Sequence, residues 1–336
     1  MIEKVKKNIL ISLGLGALFY LIISFYADYD AVLKAFGRFN WLLFPLLLIL
    51  SFSNYFTRFL KWHYYIKLLN IKLSFGDSFA IFMIGLIMSV TPGKFGELLK
   101  SYMVKEKTGV QLSRTIPIVF TERITDFISV VILALSGALF FNYEIVLLSV
   151  VGIFFLVVVY VISNRNLSLK LLLFLGKIKF LSKYIPKLTE AYESSYTMLK
   201  MKPLVLMTLL SIVAWSFECF GFYIILVNFD VLISVFWATF VYGFATIAGS
   251  ITMLPAGLGV TDGSLTFFII EKGYSSDVAV AATFIVRAVT LWFAVLVGVL
   301  SVFIFKNRFS ESLKKNDSYL NEKDFQKNDS TSTEEE

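Results

Sequence analysis

The chain has 336 residues, 57% hydrophobic and only 16% charged, with a net charge of +7 and a mean hydropathy of +0.77. A soluble domain of this length has too little interior for so much apolar side chain, and no stretch shows the alternating polarity of a transmembrane barrel. The composition therefore predicts an all-α, polytopic membrane protein. One cysteine (Cys219) and one histidine (His63) exclude an intramolecular disulfide and leave too few ligands for a Cys/His zinc site. No metal, cofactor or nucleic-acid partner is expected; the excess of Lys and Arg is read as the bias of cytoplasmic loops.

In chain order, about six apolar stretches are long enough to span: 8–26, 41–60, 116–141, 144–163, 203–228 and 278–305. The first follows a basic start, Met1 to Lys7, without a small-residue cleavage site, and is expected to be an uncleaved span. Two shorter apolar pieces, 77–91 and 234–254, end at Pro-Gly interruptions. Residues 164–202 are basic, with Tyr184, Leu188, Tyr192 and Tyr196 at intervals of four, and are expected to lie along the inner membrane surface. Residues 1–305 are read as one transmembrane domain and 306–336 as a disordered cytoplasmic tail.

Charge sets the expected orientation. Lys4, Lys6 and Lys7, then Arg58, Lys61, Lys67 and Lys72, then Lys100, Lys105, Lys107 and Arg114, and the basic 164–202 segment flank one side of the spans. The opposite loops carry Asp28, Asp30, Glu144, Asp230, Glu271 and Asp277 against few cations. The basic side is cytoplasmic, which puts both termini inside a cell membrane. Residues 72 and 100 then share the inner side, and residues 230 and 272 the outer.

Each interrupted piece is thus expected to be a re-entrant helical hairpin, and the two dip from opposite faces. The tips are Pro92, Gly93 and Gly96 in the first, and Pro255, Gly257 and Gly259 in the second. Proline removes a backbone donor, and backbone that is not helical survives at membrane depth only where it is buried in protein or lines a cavity. A shift of about 163 residues superposes Pro92 on Pro255 and Gly96 on Gly259, and brings Arg123 next to Arg287. Similar sequence with opposite orientation is the mark of an inverted repeat, and interrupted segments in both halves point to a transporter's binding site.

Charges inside the apolar stretches are expensive in lipid and face a cavity or a partner. Candidate substrate-binding residues are Lys94, Glu97, Glu122, Arg123, Asp126, Asp262 and Arg287. Arg123 and Asp126 share a helix face, so an internal salt bridge explains them as well as a ligand does. Arg123 and Arg287 are expected to reach one central cavity, near Glu97 and Asp262 respectively. Glu218 could pair with Arg287. Basic groups beside a cavity suit an anionic head group, and the free N–H groups of a returning helix favour phosphate. Arg58, Lys61, Trp62 and His63 read as an interfacial basic-aromatic anchor.

Pro92-Gly93, Gly96-Glu97, Glu122-Arg123 with Asp126, and Leu254 to Val260 with Arg287 downstream resemble the transmembrane region of lysylphosphatidylglycerol synthases. Arg58, Trp62 and Leu68-Leu69 resemble that family's Arg/Trp element before the first hairpin. The resemblance covers roughly residues 8–305 and implies a lipid flippase-like domain, without the soluble aminoacyltransferase of the full synthases. The chain departs from the family at Ala256, often Gly, and Asp262, often Glu.

Three functions are expected in descending order. The first is transport of an amphiphile with an anionic head group between leaflets, the partner being a membrane lipid. The second is a membrane-embedded transferase acting on a lipid phosphate. The third is a scaffold that recruits a lipid-modifying enzyme or glycosyltransferase through 164–202. No catalytic residue is assigned, because no Ser-His arrangement or paired-Asp motif is present.

Overall fold

In the computed structural model the described residues are 29–91, 95–141, 145–177 and 182–305. The expected first span, 8–26, and the expected tail, 306–336, lie outside them. All described elements are helical: α1 Tyr29–Arg38, α2 Phe44–Leu68, α3 Phe75–Gly85, α4 Leu98–Thr108, α5 Leu112–Phe141, α6 Ile145–Ser163, α7 Arg165–Gly176, α8 Ile185–Met198, α9 Met201–Asn228, α10 Val235–Ile251, α11 Val260–Glu271 and α12 Ser276–Phe305.

Three of these helices are long and apolar enough to cross a membrane: Trp41–Leu68, which includes α2, then α9 and α12. A fourth appears if α6 and α7 count as one span, although they meet at 84°. Large apolar side chains stay exposed along α2 (Ile49, Phe52), α6 (Ile153, Phe154) and α9 (Leu209, Val213). Water would not tolerate so broad an apolar surface; lipid does.

The two halves of the chain repeat one local construction. α2 ends at Leu68 and α9 at Asn228. Two residues beyond each end the backbone turns left-handed, at Asn70 (φ 53°) and Asp230 (φ 57°). Asn and Asp tolerate this conformation better than other side chains. The next residue closes each stop: the N–H of Ile71 donates to Ile66 O (3.1 Å), and that of Val231 to Leu226 O (3.0 Å). These four side chains are buried, so each stop carries the apolar clasp usual at helix ends. Ser74 then caps α3 by accepting from Asp77 N, and Ser234 caps α10 by accepting from Trp237 N, both at 3.1 Å.

After each cap comes a short apolar helix, a break and a returning helix packed on the first: α3 with α4, and α10 with α11. A long helix follows, α5 in one half and α12 in the other. The halves interlock through glycine. A Cβ on Gly137 of α5 would lie 2.2 Å from Phe236 O of α10, and one on Gly298 of α12 would lie 2.6 Å from Ile87 N, just beyond α3. The long helix of each half thus seats the hairpin of the other half against a bare backbone.

Candidate functional site: a charged cavity between the two halves

A cavity of about 600 Å³ opens where the halves meet. Its polar wall holds Arg58 of α2, Arg123 and Asp126 of α5, Glu218 of α9 and Arg287 of α12. Its apolar wall includes Val150 and Phe154 of α6 and Met253 and Leu254 at the second break. Thr91, at the first break, and Gly257, at the second, both border it.

The second break positions one arginine. Gly257 (φ 66°) and Gly259 (φ 85°) are left-handed, as is Ala256 (φ 53°). Two successive turns, Gly257 N to Leu254 O and Leu258 N to Pro255 O, reverse the chain. Gly259 begins α11, and its N–H donates to Asp262 Oδ2 at 3.0 Å. The other oxygen, Asp262 Oδ1, accepts from Arg287 Nε at 2.5 Å, while Arg287 Nη1 donates to Ala256 O at 3.3 Å. Arg287 therefore ties α12 to both the break and the returning helix. A single-turn π-helix, Ala288–Trp292, follows it directly. Such turns loosen the carbonyl ladder and concentrate at functional sites; here the Tyr55 hydroxyl donates to Thr290 O.

The first break is built on the same plan. The Thr91 hydroxyl donates to Met88 O (2.7 Å) and accepts from Gly96 N (3.0 Å), which ties Phe95–Glu97 to the end of the first apolar helix. A Cβ on Gly96 would sit 2.7 Å from Thr91 and Met88, so no larger residue fits. Both carboxylate oxygens of Glu97 accept from Arg123 Nη2 at 2.5 Å. Arg123 and Arg287 thus hold the acid at the start of the returning helix in their own half, and both face one cavity, as the sequence led us to expect. Pro92, Gly93 and Lys94 lie outside the described residues.

Behind Arg123 is a network that sequence reasoning missed in part. Lys61 is 1% exposed. Its ammonium pairs with Asp126 and donates to Ser211 Oγ (2.7 Å), Thr125 Oγ1 (3.2 Å) and Glu122 O (3.3 Å). Arg58 reaches the other oxygen of Asp126 at 3.4 Å, and its guanidinium lies 6.0 Å from the Trp215 ring centre. Arg58 and Lys61 are therefore not an interfacial anchor. α2 continues to Leu68 rather than ending near residue 60, which carries both cations inside the bundle. The helix stop at Asn70 is the signal that would have found them.

Lys100 needs the same correction. It is not a loop charge but 3% exposed, in the first turn of α4. Its stem lies against Gly85, where a Cβ would meet Lys100 Cγ at 2.6 Å. Its ammonium sits 4.7 Å from the Trp62 ring centre, and reaches Glu122 at 2.9 Å and Glu97 at 3.3 Å. In the second half, Glu218 accepts from the Tyr242 hydroxyl at 2.7 Å, and the ion pair of Arg287 is with Asp262.

Four cations thus surround three carboxylates in the first half, and with Arg287 of the second half the five divide by access. Side chains of Arg58, Arg123 and Arg287 keep 14%, 18% and 10% of their surface exposed, against 1% for Lys61 and 4% for Lys100. The arginines can meet a ligand in the cavity; the lysines hold the wall. Among the described residues no group of His, Cys, Asp and Glu is placed to hold a metal ion.

A family model described as the lysylphosphatidylglycerol synthase TM region matches residues 9–298. Among curated proteins, the chain is similar to two UPF0104 membrane proteins of Methanocaldococcus jannaschii. One is 25% identical over 69% of this chain and 99% of the relative; the other is 23% identical over 93% and 99%. A UPF0104 membrane protein of Methanothermobacter thermautotrophicus is 27% identical over 76% of this chain and 82% of its own length.

Proposed function

The chain belongs to the lysylphosphatidylglycerol synthase transmembrane-region family, and from that premise we propose that it moves an amphiphile with an anionic head group between the leaflets of a cell membrane. One observation carries the proposal: three arginines from both halves, outnumbering the carboxylates Asp126 and Glu218 beside them, share one cavity that also has an apolar wall. A phosphate group fits the planar fork of arginine, and the apolar wall of α6 gives an acyl chain a path beside it. The two breaks at the cavity supply backbone that can change shape while the long helices stay rigid.

In this reading the protein has about six spans, both termini inside, and the α3–α4 and α10–α11 hairpins are re-entrant from opposite faces. The shared helix stops and the crossed glycine contacts support an inverted repeat. Such repeats alternate access by rocking one half against the other around a fixed site. Purified protein in vesicles, with fluorescent phospholipid in one leaflet, tests the proposal. Faster loss of leaflet asymmetry than in protein-free vesicles is expected, and equal rates would refute it.

A further inference from the structure

The two arginine–carboxylate pairs differ in what remains if a ligand takes the arginine. Asp262 has its ion pair with Arg287 and otherwise one backbone N–H, that of Gly259. Drawing Arg287 onto an anion leaves a buried acid without its ion-pair partner, which is strongly unfavourable. Glu97 is held differently. It lies within reach of both Arg123 (2.5 Å) and the ammonium of Lys100 (3.3 Å). Asp126, which lies 3.7 Å from Arg123, also pairs with Lys61 and Arg58. Both acids that hold Arg123 therefore have a second cation already beside them.

Resting on the anionic-head-group reading above, we infer that Lys100 is a positioning residue that lets Arg123, rather than Arg287, accept the head group first. When a phosphoryl group engages the Arg123 guanidinium, Glu97 passes to Lys100, a few tenths of an ångström from hydrogen-bond distance. Lys100 keeps Glu122 as its other partner. Its stem lies against Gly85 and its ammonium over the rings of Trp62 and Phe82, which limits how far the side chain can drift. The hand-over moves an ion pair and exposes no lone charge. Among the described residues the second half offers Asp262 no such substitute, so Arg287 is released only later, when the α10–α11 hairpin rearranges.

The test uses the full chain in a neutral maltoside detergent, with dodecyl phosphate as the minimal anionic amphiphile. Phenylglyoxal modification of arginines, mapped by mass spectrometry, should show Arg123 protected at a lower dodecyl phosphate concentration than Arg287. Simultaneous protection, the reverse order, or no protection overturns the inference. The charge-neutral double variant Lys100→Met with Glu122→Gln leaves no orphaned partner, yet removes the substitute cation. Calorimetry should find its affinity for dodecyl phosphate at least tenfold weaker, with unchanged melting; an affinity within twofold of wild type overturns the inference. If the double variant does not fold, the order of protection in the wild type still decides. Inorganic phosphate, titrated alongside, should bind more weakly; equal binding would assign the site to a free anion and overturn the lipid source. A chain that binds in this order but moves no lipid between leaflets refutes transport and leaves the hand-over standing.

Discussion

Arg287 shows how the chemistry of a single side chain separates a structural role from a ligand role. Its guanidinium makes two bonds at once, to Asp262 and to the carbonyl of Ala256. Lysine keeps the charge but not the fork. Arg287→Lys is expected to impair lipid movement while leaving thermal melting nearly unchanged. Arg287→Ala strands Asp262, which is 1% exposed, and should cost about 3–5 kcal/mol, read as a large fall in melting temperature. Full lipid movement in the lysine variant would mean that the residue is only a brace. Lys61 is the opposite case. It meets four acceptors and has no access to the cavity. Lys61→Met should destabilise by about 3–5 kcal/mol, and any folded remainder should keep its affinity for dodecyl phosphate within a few-fold. A stable Lys61→Met protein would show that Arg58 alone neutralises Asp126.

Among elements, the second break is where sequence and structure can be compared most closely. Ala256 lies between Pro255 and Gly257 at this break, and its backbone is left-handed. An L-residue pays roughly 1–2 kcal/mol for that conformation. Ala256→Gly should therefore stabilise the protein by up to about 1 kcal/mol, after the entropy that glycine gives back to the unfolded chain. Gly257→Leu should do the reverse. Its Cβ would lie 2.5 Å from Thr261 Oγ1 and 3.2 Å from Gly249 Cα, so the break must open, and lipid movement should stop. Normal activity in the leucine variant would mean that the break is not part of the moving machinery. Both breaks, both arginines and their acids were legible in the sequence, because a charge or a Pro-Gly pair inside an apolar run has few harmless explanations. Lys61 and Lys100 were not. Their neighbours in the chain are basic or interfacial, and only the length of α2 and the tertiary approach of Gly85 show that they are buried. The π-turn after Arg287 left no trace in the sequence either, since Ala288–Trp292 contains neither proline nor glycine.

At the scale of the whole molecule, the proposed inverted arrangement makes a prediction that does not depend on the ligand. The stops after α2 and α9 are built alike, around Asn70 and Asp230. If the halves are inverted, these stops must lie on opposite sides of the membrane, and each hairpin must return to the side it left. Lys100 cannot report this, because it is buried. Lys72 and Lys105 flank the first hairpin, Asp230 and Lys272 flank the second, and all four are exposed. The only native thiol, Cys219, is buried and should stay silent toward a polar reagent. Single cysteines at the four positions, probed in intact cells with a membrane-impermeant maleimide, should divide into two pairs. Asp230→Cys and Lys272→Cys are expected to label from outside. Lys72→Cys and Lys105→Cys should label only after the membrane is opened. A pair divided between the two sides would make its hairpin a complete span, and the two halves would then no longer be related by inversion. Labelling of all four from one side would keep both hairpins re-entrant but place them on the same face. A site reached alternately from each leaflet needs the two breaks to approach it from opposite directions, so that outcome would remove the mechanism even if the cavity binds phosphate.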